Sequence, residues 1–350
     1  MEGADGTYEV WKGNLLNPSI KTLLDRIQIF VPLFIEGGSY IARYESAAEE
    51  ADAERWTIWF LYRKKPLEED SSKSSYTFVG YSTVYRFFFF QPPTPPSSPK
   101  KDLDLPTEEV QFSDLPCRSR LSQFLILPPF QGKGNGALLY NTMFQYYLKH
   151  EQTKEFTVED PNEAFDDLRD FCDLSYLRTL PEFKELKVNK AVRIPSTGPS
   201  PRDIVPESRL TELRLKSKIT RRQFARVVEM QLMSSLPDAV RPGISPTEMA
   251  PPASPAQKHE YKLWKLFVKQ RLYRHNKEGL AQFEQAERID KLEETLKSVE
   301  FEYARMLDMV DRRAKIDASE TETSATTNGK RKLAEDGEPS SSKKARVEDE

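Results

Sequence analysis

The chain has 350 residues, room for two domains and tails, and its net charge of −3 argues against general nucleic-acid binding. Its only cysteines, Cys117 and Cys172, point to a reducing compartment, and neither has a His or Cys neighbour at metal-ligand spacing, so no metal is expected. No apolar run is long enough to span a bilayer and no signal peptide opens the chain, while 31% charged residues and 25 prolines predict that part of it is disordered.

Residues 8–90 alternate helical and strand patterns. Ile20 to Phe34 places Leu23, Leu24, Ile27, Phe30 and Val31 on one helical face. Trp56–Tyr62 and Thr77–Phe90 are aromatic and β-branched, which predicts strands. The Pro/Ser-rich stretch 91–101 cannot continue a central strand, so an exposed loop is expected there. Next comes the apolar run Phe124-Leu125-Ile126-Leu127, then Pro128-Pro129-Phe130 and Gln131-Gly132-Lys133-Gly134-Asn135-Gly136-Ala137. Leu138, Leu139, Met143, Phe144, Tyr146 and Tyr147 follow at helical spacing. A strand at Glu155–Glu159 and a helix from about Asn162 to Cys172 complete this region, with Cys172 a packed thiol.

A linker at Ile194–Pro206 separates a helical C-terminal part. Thr220–Leu236 reads as an amphipathic helix with Phe224, Val227, Val228, Met230 and Leu232 on its apolar side. Pro237 to Pro255 is a second break, and Tyr261 to about Arg313 reads as one or two charge-rich helices with one packed stripe. Periodicity ends at Asp317. Two basic clusters in the tail, Lys330-Arg331-Lys332 and Lys343-Lys344-Ala345-Arg346, have the spacing of a bipartite nuclear import signal.

The strand, glycine loop and helix around Gly134 form the most informative feature. Glycines let the backbone turn tightly and aim several N–H groups at one point, and the helix adds its positive end. A phosphate or pyrophosphate is the ligand such a turn suits. The order Gly-x-x-x-x-Gly-Lys-Ser/Thr of nucleoside-triphosphate loops is absent. The dinucleotide fingerprint Gly-x-Gly-x-x-Gly is also unmet, although Glu159 stands at the distance of a ribose-binding acid. Gln131, Gly134 and Gly136 instead satisfy Gln/Arg-x-x-Gly-x-Gly/Ala. In the GCN-related acetyltransferases that loop holds the pyrophosphate of acetyl-coenzyme A.

The neighbouring motifs narrow the family. They are Phe34-Ile35-Glu36-Gly37-Gly38-Ser39-Tyr40, Glu54-Arg55-Trp56, Val79 to Tyr85, and Val158-Glu159-Asp160-Pro161-Asn162-Glu163-Ala164-Phe165 with Leu168-Arg169-Asp170. In this order they resemble the catalytic subunit of the type B histone acetyltransferases, from about Tyr8 to Leu180 and more weakly to about Leu307. The resemblance implies a mixed, twisted α/β sheet flanked by helices over residues 1–193. A helical C-terminal domain over 207–315 and a disordered tail over 316–350 follow. Family members carry further sequence ahead of the segment matching Tyr8, so a shortened N-terminal lobe is expected.

The resemblance also assigns roles. Transfer of acetyl to a lysine needs a base, because the amine is protonated at neutral pH. Glu159 is the expected base, with Asp160 and Glu36 as further carboxylates. Asp160 reads equally as a helix N-cap before Pro161. The expected coenzyme contacts are the strand edge at Phe124, Leu125 and Ile126, the loop Gln131, Gly132, Lys133, Gly134, Asn135, Gly136 and Ala137, and Asn162. Substrate recognition falls on Trp56, Tyr85, Arg86 and Phe87. Sheet packing is the competing reading of Trp56 and Tyr85. Glu45, Glu49, Glu50, Asp52 and Glu54, with Asp166, Asp167 and Asp170, suggest an acidic rim for a basic tail. The implied activity is acetylation of lysines in free, newly made histones, chiefly the fourth core histone, by direct transfer in a ternary complex. A WD-repeat β-propeller chaperone subunit is the expected partner, DNA and membranes are not, and residence in nucleus and cytoplasm is expected. Other readings are an acetyltransferase for another protein or a polyamine, and a non-catalytic module that binds histone or acetyl-coenzyme A.

Overall fold

The computed structural model describes residues 2–3, 6–42, 46–68, 70, 72–89, 115–195, 198, 200–244 and 252–335, except for the side chains of 2, 3, 6, 47, 48 and 317–335. The Pro-rich stretch 91–101 and Glu45 lie outside the described residues, as do the side chains of both basic tail clusters.

Six strands pair in chain order: β1 (Glu2–Gly3), β2 (Gly6–Asn14), β3 (Trp56–Pro66), β4 (Ser74–Phe88), β5 (Cys117–Ile126) and β6 (Thr153–Val158). Neighbours are antiparallel up to β5, and β6 joins β5 in parallel. A parallel step needs a crossover, and helix α4 (Asn135–Lys149) supplies it. Residues alternate between the two faces of the sheet. Ile58, Phe60, Tyr81 and Leu125 meet Leu24 and Val31 of α1 (Pro18–Ile27) and α2 (Val31–Phe34) on one face. Trp59, Leu61, Val79, Leu121 and Ile126 pack on the other against α4 and α5 (Glu163–Leu177).

The helix expected over Ile20–Phe34 is interrupted at Gln28–Phe30 by a 3-10 turn. There Gln28 turns inward to accept the Ile41 N–H at 2.6 Å, and Pro32 in α2 has no N–H to continue the ladder. Strand β2 and helix α3 (Ala47–Ala53) have weak periodicity and were not predicted. Helix α3 is instead fixed by a capping box of Ser46 with Glu49.

After α5 come α6 (Pro181–Lys184), α7 (Glu207–Ser217), α8 (Arg221–Ser234), α9 (Pro255–His275), α10 (Lys277–Leu280) and α11 (Gln285–Glu335). The α11 backbone continues past Asp317, where the sequence periodicity ends. These helices share one core with the sheet, running from Trp59 through Val227, Trp264 and Tyr303 to Val310. The outer edge of β6 is covered as well, because the Phe156 N–H donates to Lys218 O at 2.8 Å. Buried Glu229 of α8 receives Arg271 of α9 at 2.7 and 2.8 Å and the Tyr303 hydroxyl of α11 at 2.8 Å. A charge so deeply buried is tolerable only with such partners, so the triad fixes the register of three helices. Both cysteines are buried, and burial pushes both thiols up. The whole is a mixed sheet flanked by helices, with a helical C-terminal layer packed on one side.

Candidate active site

The site begins where β5 and β6 part. Their pairing runs from Cys117↔Thr153 to Leu121↔Val158, and the Glu159 N–H still reaches Leu121 O at 2.9 Å. Strand β5 then continues to Ile126 paired only with β4. The divergence coincides with a bulge: Thr83 pairs with Gln123 and Val84 with Leu121, which leaves Ser122 as the extra residue. Beyond the bulge, Gln123 faces β4, since its N–H donates to Thr83 Oγ1 and its carbonyl accepts from Ser82 Oγ. The Leu127 N–H also faces β4, donating to Val79 O. Alternation then turns the backbone of Phe124 and Ile126 to the open edge and that of Leu125 toward β4. The Leu125 side chain is buried against α1 and α2.

The loop after β5 closes one end of this cleft. Gln131 Nε2 donates to Ile126 O at 2.7 Å, folding the loop back on the strand. Gly132 and Gly134 have φ of 69° and 80°, left-handed values that favour glycine. Gly134 is the N-cap of α4 and has no side chain with which to cap it. The first bond of the helix is Leu138 N–H to Gly134 O. The N–H groups of Asn135, Gly136 and Ala137 therefore have no partner within the helix. No acidic residue stands in the first turn. A pyrophosphate fits this cradle, because backbone donors, a helix N-terminus and the absence of side-chain bulk coincide. Asn135 itself is buried and its Nδ2 donates to Phe130 O at 2.9 Å, so its side chain shapes the loop. Lys133 is exposed on the turn.

Glu159 leaves β6 at the mouth of the cleft. Its carboxylate lies 3.7 Å from Arg120 Nη1 and is exposed. Arg120 pairs across β4 with Tyr85, which pairs with Trp56, so these residues share one face with Glu159. The Trp56 and Tyr85 rings meet edge to face at 4.8 Å, and Tyr85 meets Phe87 at 4.6 Å. Arg120 covers the Phe87 ring at 4.3 Å. The Tyr85 hydroxyl donates to Asp52 of α3 at 2.6 Å and accepts from Arg55 at 3.1 Å. Burial and the Asp52 contact hold that phenol above its usual pKa. Arg86 takes the other side of β4, near Cys117 and Tyr147, and donates to Glu54 O at 2.8 Å.

Asp160 has a φ of 34°, rare for a residue with a side chain. The cap of α5 is Asn162, whose Oδ1 accepts the Phe165 N–H at 2.9 Å, and not Asp160. Glu36 is exposed on the turn after α2, completed by Gly37 at φ 68°. That turn is pinned to the sheet where Gln123 Nε2 donates to Ser39 O at 2.8 Å.

Much of the expected acidic rim has other work. Asp170 is buried and receives Arg226 at 2.7 Å and Gln223 at 2.8 Å. Asp167 pairs with Arg305 of α11 at 2.7 Å. Glu49 caps α3 and Asp52 holds Tyr85, which leaves Glu50 and Glu54 as exposed residues of the rim. Arg120 and Arg55 were missed in the sequence. Alternation in Arg118-Ser119-Arg120-Leu121 was the available signal for Arg120, since charge on every second position marks one strand face. Among the described residues, no group of three or more His, Cys, Asp or Glu side chains is placed to hold a metal, and no helix is long and apolar enough to cross a membrane.

The family model described as "Histone acetyl transferase HAT1 N-terminus" matches residues 1–36. Three fungal proteins named histone acetyltransferase type B catalytic subunit match nearly the whole chain. The protein of Gibberella zeae is 55% identical over all of this chain and 73% of its own length. That of Pyricularia oryzae is 48% identical over the same shares. That of Neurospora crassa is 45% identical over 98% of this chain and 73% of its own length.

Proposed function

The chain belongs to the type B histone acetyltransferase catalytic subunits, and from that premise we propose that it moves acetyl from acetyl-coenzyme A to lysine ε-amines in the tails of free, newly made histones, chiefly the fourth core histone. The observation that carries the finer reading is Glu159 at the mouth of the β5–β6 cleft, on the face that bears Trp56 and Tyr85.

The backbone of Phe124 and the Ile126 N–H suit the peptide-like pantetheine arm, while the Ile126 carbonyl is held by Gln131. Gln131 to Ala137 takes the pyrophosphate, and Asn162 keeps its Nδ2 for the coenzyme while its Oδ1 caps α5. Bound there, the coenzyme supplies a thioester carbonyl as electrophile. Trp56, Tyr85 and Phe87 clamp the lysine stem. Glu159 takes the proton from Nζ, and Arg120 holds the carboxylate toward the aromatic face. A backbone N–H on the free β5 edge receives the charge that grows on oxygen. Asp160 and Glu36 are the supporting carboxylates. Transfer is direct, within a ternary complex: the Nζ–acetyl bond would form as the thioester C–S bond breaks, and coenzyme A would leave as its thiol.

The test is transfer of labelled acetyl to each purified core histone, free and in nucleosomes. Free histones should be labelled, the fourth most strongly. Trp56→Ala should raise KM for that tail about tenfold with a smaller change in kcat, as loss of an aromatic clamp implies. Equal labelling of a polyamine or an unrelated basic protein would refute the substrate assignment.

The family resemblance also supports a WD-repeat β-propeller chaperone as partner, without direct contact to DNA or membrane. Co-elution of the two purified proteins tests the pairing, and separate elution refutes it. The two basic clusters support shuttling from cytoplasm to nucleus. A tail reporter should stay cytoplasmic once Lys330, Arg331, Lys332, Lys343, Lys344 and Arg346 are all Ala; undiminished nuclear signal would dismiss the import role.

A further inference from the structure

We propose that a groove in the helical layer binds an acidic protein segment, a short stretch in which carboxylates flank an apolar side chain. The groove has a volume of about 600 Å³ and lies between the 200–207 loop, α7, α8 and α9. Its floor is apolar: Phe224 and Val228 of α8 are buried there, and Phe267 of α9 is half-buried. Its rim is cationic. Arg202, Arg214, Arg221 and Arg274 line it, against two carboxylates, Asp203 and Glu207.

The rim cations are poorly matched within the protein. Arg214 reaches Glu155 of β6 at 3.7 Å. Arg274 donates Nε to Gln270 O at 3.0 Å. Among the described residues, no carboxylate lies within 4.0 Å of Arg202, Arg221 or Arg274. That is unexpected in a chain whose 55 acidic residues outnumber its basic ones. The local backbone adds to the excess. Arg221 opens α8, whose N-terminal end is already positive. Thr220 makes no capping bond there, and no acidic residue stands in the first turn. Four guanidinium groups are thus gathered at one mouth against two lining carboxylates, and three of the four have no ion pair among the described residues.

Guanidinium forks match carboxylates two bonds at a time, which suits an acidic peptide. A bare inorganic anion would leave the Phe224 and Phe267 floor uncovered, and an apolar side chain between two carboxylates would fill it. The volume lies in the range of pockets that enclose one small ligand or anchor residue. The same charge repels a histone tail. The groove is also independent of the transfer site, because it lies beyond β6 on the side where Arg214 grips Glu155.

The experiment is fluorescence anisotropy of the full chain with a labelled peptide Glu-Asp-Phe-Glu-Asp. Comparison peptides carry Ser for Phe, or Lys for every acid, and tripolyphosphate serves as competitor. Binding of the acidic peptide is expected, several-fold weaker with Ser and absent with Lys. The triple variant Arg202→Glu, Arg221→Glu, Arg274→Glu should bind at least about tenfold less tightly. A triple Gln variant, checked by its melting curve, replaces it if charge reversal disturbs folding. Undiminished binding to either folded variant, equal affinity for the Ser peptide, or tighter binding of tripolyphosphate than of the peptide would overturn the assignment. The last outcome would give the groove to a phosphate ligand.

Discussion

Glu159→Gln is expected to lower turnover by roughly two to four orders of magnitude while affinity for coenzyme A stays within a few-fold of wild type. Gln keeps the size and most of the hydrogen-bonding shape of Glu but cannot take a proton from an ammonium group. The coenzyme contacts should survive, because they lie on the open β5 edge and the Gln131–Ala137 loop, not on the Glu159 side chain. The Glu159 N–H to Leu121 O bond belongs to the backbone and survives too. Removing the negative charge leaves Arg120 facing the aromatic patch, yet the pair is long and partly exposed, so little stability is at stake. The wild-type rate should climb with pH, since the lysine amine has an unperturbed pKa of about 10.4 and only its neutral form attacks. Asp160→Asn and Glu36→Gln belong in the same series. Carboxylates that act as a unit are not additive, and either could carry residual activity. Rates measured against pH with a histone tail peptide decide the matter. A Glu159→Gln enzyme that turns over at a near-normal rate would take Glu159 out of the mechanism and promote one of the other two.

The parts of this site that could be read in the sequence are those set by short-range chemistry. The loop announces itself through glycines whose left-handed conformations at positions 132 and 134 few other residues tolerate. The strands β3 and β4 show through aromatic and β-branched runs, and the motif at Glu159 through its resemblance to a family. Long-range pairing decided the rest. That Trp56, Tyr85, Arg120 and Glu159 share a face depends on a strand register shifted by Ser122, and no local pattern marks that residue. The roles of Asp167 and Asp170 were hidden for the same reason. They look like surface acids until Arg305 and Arg226 arrive from helices far along the chain. Helix α3 is brief and held by Ser46 with Glu49 and by the Tyr85 bond to Asp52, so its apolar periodicity is faint.

Gly134→Asp is expected to abolish measurable coenzyme A binding. Aspartate is a favoured residue at an ordinary helix N-cap, but Gly134 caps α4 with φ at 80°, where a side chain is strained. The larger effect is electrostatic. The carboxylate would stand beside the free N–H groups of Asn135, Gly136 and Ala137, occupying the donors and repelling a pyrophosphate. Like charges forced together at such a site cost several kcal/mol, so affinity should fall at least about a hundredfold. Gly134→Ala separates the two effects, because it adds the strain without the charge; about tenfold weaker binding is expected of it. Gly136→Asp should behave like Gly134→Asp with an added packing defect, since a Cβ there would sit 3.3 Å from Leu168 Cδ2. Calorimetric titration with coenzyme A, on variants whose melting curves show them folded, is the measurement. Wild-type affinity in folded Gly134→Asp would remove the loop from the coenzyme site, and with it the reading of the β5–β6 cleft as the place where acetyl is held.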